Sequence, residues 1–68
     1  MRDFTVKVLD GGGGAPLVFA AAFAGKDRAK RFAESRVRDV PAIMAIEIWE
    51  GDSRLTRVER RRMSDRDL

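Results

Sequence analysis

The sequence predicts a small α+β domain of ββαββ order, one four-stranded, mainly antiparallel sheet covered on one face by a single helix. Three observations carry this. Apolar residues alternate at a period of two over residues 3–9 and 43–49. An amphipathic stripe with steps of three and four runs through 28–39. A Glu50-Gly51-Asp52-Ser53 turn signal joins the last two strands. The second element also admits a helix running on from Pro16, which gives the alternative β–long α–β–β order.

The first strand covers residues 3–9, where Phe4, Val6 and Val8 alternate with Asp3, Thr5 and Lys7. Gly11 to Gly14 then break the chain, because four consecutive glycines carry too much backbone entropy for a regular element. In 17–23, Leu17, Phe19, Ala21 and Phe23 share one face of a strand, while Ala20, Ala21 and Ala22 favour helix. Gly25 and a fresh N-cap at Asp27 favour the strand. In the helix over 28–39, Ala29, Phe32, Ala33, Val37 and Val40 form the apolar stripe, and Pro41 stops it by forcing Val40 out of helical geometry.

In the third strand, 43–49, Met44, Ile46 and Ile48 are expected on one face and Ile43, Ala45, Glu47 and Trp49 on the other. The return strand, 54–60, has Leu55 and Val58 three apart, a spacing that breaks strict alternation and admits a bulge. The order 2-1-3-4 makes the strands flanking the helix parallel in direction, as a right-handed crossover requires. Residues 1–60 thus make one domain, and 61–68 keep no apolar pattern and are expected to be a disordered tail.

Residues 17–60 resemble short uncharacterised bacterial proteins of this layout. The shared features are a strand ending at Phe23, a helix opened by Asp27-Arg28-Ala29, and the hairpin Ile46-Glu47-Ile48-Trp49-Glu50-Gly51-Asp52 followed by Arg54-Leu55. The four-glycine loop and the alanine-rich second strand depart from that pattern. The resemblance implies the ββαββ fold and supplies no activity.

Composition excludes much chemistry. The chain has 68 residues with no Cys, no His and no Tyr, so thiolate nucleophiles, disulfides and histidine bases are absent. Ser35, Ser53 and Ser64 therefore lack the partner a serine nucleophile needs. A dinucleotide Gly-x-Gly-x-x-Gly pattern begun at Gly11 lands on Pro16, and one begun at Gly12 lands on Leu17. Gly25-Lys26 imitates the end of a P-loop, but Ala20 stands five before Gly25, and Asp27 follows instead of Ser or Thr. Glu47, Glu50 and Asp52 read as a solvated turn without calcium-loop spacing. The expectation is no enzyme, no cofactor and no metal. The ten residues from Ala15 to Ala24 are too short to span a bilayer and lack a basic flank, which points to a cytoplasmic protein.

The 14 Lys and Arg against 11 Asp and Glu give a net charge of +3, and 12 of the 14 lie within 26–38 and 54–66. A domain this short buries only about 60% of its unfolded surface, which favours dimerisation. Since one helix covers one sheet face, Trp49 is expected on the open face with Ala45, Glu47, Ala20 and Ala22. These five form the candidate interface of a self-associating protein-interaction module, a homodimer. The alternative is weakly sequence-specific nucleic-acid binding, with Arg28, Lys30, Arg31, Arg57, Arg60 and Arg61 on phosphates. It depends on both basic stretches meeting on one surface.

Overall fold

A computed structural model describes residues 1–60; the expected tail, including Arg61, lies outside the described residues. The elements are β1 (Arg2–Asp10), β2 (Leu17–Phe23), α1 (Lys26–Asp39), β3 (Ile43–Glu50) and β4 (Ser53–Glu59). All pairings are antiparallel, in the order β2-β1-β3-β4. The ββαββ reading therefore holds, and 17–23 is a strand.

Helix α1 packs chiefly over β3, next over β4, and less over β2. Its buried residues, Ala29, Ala33 and Val37, are four apart and small, so the helix sits close to the sheet. Beneath it lie Phe4, Val6, Ile46 and Ile48, all 2% exposed or less. Phe23 bridges the layers, with its ring centroid 5.9 Å from that of Phe4 and 5.3 Å from that of Phe32. Both pairs are tilted, the arrangement aromatic rings prefer.

Four local expectations are corrected. The helix N-cap is Gly25, and Asp27 lies inside the first turn, where its charge complements the helix dipole instead of capping. The cap residue itself makes no side-chain hydrogen bond. Ile43 packs against the core and not on the Trp49 face. The cause is a register shift: Leu9 pairs with Ala45 and Asp10 with Ile43, leaving Met44 as an extra residue in β3. Phe19, grouped with the core by alternation, is 37% exposed because α1 does not extend over it. The last strand ends at Glu59, so Arg60 follows it.

β4 contains the bulge that its Leu55–Val58 spacing admits. Ile48 pairs with Thr56 and Trp49 with Arg54, which leaves Leu55 extra and packed against the core. Glu50 pairs with Ser53 across a two-residue turn in which Gly51 has φ +61°. A side chain there would meet nothing within 4 Å, so only the backbone conformation demands glycine. Replacing Gly51 by Ala should lower stability by about 1 kcal/mol, a fall in Tm of roughly 4–8 °C for a domain of this size. Gly14, at negative φ and in open space, should accept Ala with Tm unchanged or slightly raised. Thermal melts of the two variants followed by circular dichroism check the contrast.

Candidate functional site

The sheet face opposite α1 follows from strand alternation. With Ile46 and Ile48 buried under the helix, Ala45, Glu47 and Trp49 point the other way. The register sets Lys7 beside Glu47 and Glu47 beside Arg57, and places Thr5 beside Trp49 and Trp49 beside Arg54. Val18 and Ala20 continue these rows onto β2, opposite Lys7 and Thr5.

Trp49 lies within this array as a half-buried side chain. Its Nε1 donates a 2.9 Å hydrogen bond to Glu47 Oε1. The Lys7 ammonium sits 4.3 Å from the ring centroid, a cation–π contact. Glu47 Oε2 accepts from Arg57, and from Arg54 at 3.5 Å. Arg57 Nε also donates to Glu59 at 2.7 Å. The side chain of Glu47 is only 12% exposed. Its carboxyl is held below the usual carboxylate range, first by the indole N–H and then by the Arg57 and Arg54 guanidinium groups, against an opposing effect of burial. Arg57 is raised in turn by Glu59 and Glu47.

The five expected interface residues thus divide. Ala45 is 3% exposed and has almost no surface to offer. Trp49 and Glu47 hold each other and their basic neighbours. Ala20 and Ala22 are exposed, on strand β2. That strand is the outer edge of the sheet and reads Leu-Val-Phe-Ala-Ala-Ala-Phe, without a charge or a hydrogen-bonding side chain. Leu17 is 62%, Val18 52% and Phe19 37% exposed. Met1 and Met44 are the other exposed large apolar residues among those described; Leu17 and Phe19 stand out on the helix side of this edge strand and Val18 on the open side. Their composition is plain in the sequence. Their exposure is not, because it depends on where α1 comes down.

The basic residues do not meet on one surface. Arg28, Lys30 and Arg31 are exposed on α1, on one side of the sheet, whereas Arg57 belongs to the Glu47 array on the other. Arg60 has a structural task. Its guanidinium donates to the carbonyl oxygens of Val37, Val40 (2.7 Å) and Ile43 (3.0 Å). Its backbone N–H donates to Met44 O at 2.7 Å. Two of the carbonyls belong to the end of α1, where the last turn leaves acceptors without intrahelical partners. Arg61 is outside the described residues.

Among the described residues there is no pocket and no group of three acidic, His or Cys side chains placed to hold a metal. Among them, too, no helix is long and apolar enough to cross a membrane. Comparison with family models, with curated proteins and with solved structures finds no match.

Two outcomes are expected at these residues. Arg60→Met should cost about 1.5–3 kcal/mol, the range for hydrogen bonds to a charged group. Arg28→Met, on the outer helix surface, should stay within about 0.5 kcal/mol in the same chemical denaturation experiment. Glu47 is the source of the second. Because its folded pKa lies below the unfolded value near 4.3, its stabilisation is complete above that value. It is lost as pH falls through the depressed folded pKa. Trp49 emission, read on acidification, should change with a midpoint below the ordinary glutamate value. Glu47→Gln should abolish that transition.

Proposed function

We propose that this chain is a non-enzymatic protein-interaction module that self-associates as a homodimer, with strand β2 as its contact surface. The observation that carries the reading is the exposure of Leu17, Val18 and Phe19 on an uncharged edge strand. A long apolar edge is a template for pairing with another chain, and proteins that remain monomeric ordinarily guard it with charge, proline or a bulge. The opposite edge is guarded in this way. There β4 carries Arg54, Arg57 and Glu59 and has a bulge at Leu55. β2 has no comparable guard within its seven residues. The small core of a 68-residue chain supports the same reading, since association adds buried apolar area that the monomer lacks.

Nucleic-acid binding draws less support, because Arg57 and Arg60 are engaged within the chain and Arg28, Lys30 and Arg31 stand apart from them. The proposed surface also differs from an open-face interface centred on Trp49. Sedimentation equilibrium across the micromolar to millimolar range should resolve a monomer–dimer equilibrium. Trp49 emission should stay constant through the dissociation, because the indole lies two strands away from the β2 edge. A monomer at every concentration would defeat the proposal, and an emission shift on dilution would move the contact to the open face.

A further inference from the structure

The sequence of β2 is suited to one particular partner. We infer that two copies join through antiparallel β2–β2 pairing about a two-fold axis at Ala20, giving a continuous eight-stranded sheet with both α1 helices on the same side. This rests on the proposed self-association and specifies its geometry.

A two-fold axis normal to the sheet pairs identical strands antiparallel and keeps like faces together. Residues facing one another must then come from the same row of the strand, since a slip of one residue exchanges the faces. The register centred on Ala20 pairs all seven residues of Leu17–Phe23. Ala20 meets Ala20 of the second copy, Phe19 meets Ala21, Val18 meets Ala22 and Leu17 meets Phe23. Large side chains at the N-terminal half face alanines in its middle, so the exposed Phe19 and Val18 each find a small neighbour with room above it. Leu17, the most exposed of the three at 62%, lies against Phe23, whose ring already packs on Phe4 and Phe32. Shifting the centre to Phe19 sets Phe19 against itself and brings Pro16 into the ladder opposite Ala22, where its missing N–H removes a bond. Shifting it to Ala21 places Leu17 against Gly25, beyond the strand.

Charge agrees with this register. The nearest ionic residue, Lys26, falls opposite Gly14 of the second copy, so no like charges face each other along the ladder. Pairing β2 with β4 of another copy would instead be head-to-tail and would not close. It would set Arg54, Arg57 and Glu59 beside an apolar strand. Of the eight residues after Arg60, five are charged (Arg61, Arg62, Asp65, Arg66, Asp67), a composition poorly matched to β2.

The absence of cysteine allows a direct test in the full chain. Facing residues of an antiparallel pair have Cα atoms about 4.5–5.5 Å apart, inside the disulfide range of about 4.4–6.8 Å. Residues four positions out of register are about 13 Å apart. Under diamide, Ala20→Cys should become a covalent dimer, and an equimolar mixture of Val18→Cys with Ala22→Cys, in which about half of the dimers pair position 18 with position 22, should cross-link about half as fast. Val18→Cys alone should link at least tenfold more slowly. Phe19→Lys, with folding checked by far-ultraviolet circular dichroism, should raise the dimer dissociation constant at least tenfold. Were sedimentation to show a dimer in which Ala20→Cys does not link, this pairing would be overturned while self-association stood. A monomer throughout overturns both. An Ala20→Cys/Ser64→Cys double variant that closes an internal disulfide and stays monomeric would put the chain's own end on β2 and overturn the pairing as well.

Discussion

One helix is narrower than the sheet it covers, and most of this molecule follows from that. An α-helix with its side chains is about 10–12 Å across. Four strands at about 4.8 Å spacing put roughly 14 Å between the outer strand axes alone. Helix α1 brings Ala29, Ala33 and Val37 down over the sheet and shields Phe4, Val6, Ile46 and Ile48 almost completely. It comes near β2 less than β3 or β4, and there Phe32 of the helix meets Phe23. Leu17 and Phe19, on the same side of the sheet as Phe23 by alternation, remain bare for want of helix above them.

The surfaces that α1 leaves uncovered are treated in different ways. The open face carries a lattice of charges around one aromatic ring, in which Lys7 lies over Trp49 while Glu47 takes the indole proton and two arginines. That arrangement keeps a large aromatic on an exposed sheet without leaving it as a sticky patch, since its hydrogen-bonding edge is satisfied and one face is capped by a cation. The β4 edge is charged and bulged. The β2 edge has neither device, so its bare ladder and its bare side chains coincide. The proposed self-association rests on this coincidence, which differs from the open-face contact expected from the sequence. That expectation places Trp49 on the open face as a contact residue; in the folded chain its indole is held by Glu47 and Lys7.

Arg60 shows how far a residue's role can lie from its local context. In the sequence it opens a run of three arginines and reads as a phosphate contact. In the fold its guanidinium ties together the end of α1 and the start of β3 through Val37, Val40 and Ile43. Nothing near Arg60 in the chain announces this, because its acceptors are 17 to 23 residues away. The same holds for Ile43. Simple alternation puts it with Trp49, and only the bulge at Met44, set by pairing with β1, turns it to the core. The bulge in β4 could be read from sequence because its signal is local, in the three-residue spacing of Leu55 and Val58.

The sequence by itself determined the first strand, the helix and the last hairpin, and favoured a strand over 17–23 without excluding a helix from Pro16. Period-two and period-3.6 patterns, Pro41 and the Gly51 turn are local features, and local sterics and side-chain burial act on them directly. It also determined that Trp49, Glu47 and Ala45 share a face, because strand alternation needs no partner. Tertiary structure alone decided which apolar residues are covered. Leu17, Val18 and Phe19 are large apolar residues like Ile46 and Ile48, yet they are exposed and the isoleucines are buried. Burial is a property of what lies overhead, and the position of a 14-residue helix on a four-stranded sheet is settled only when all the strands have paired.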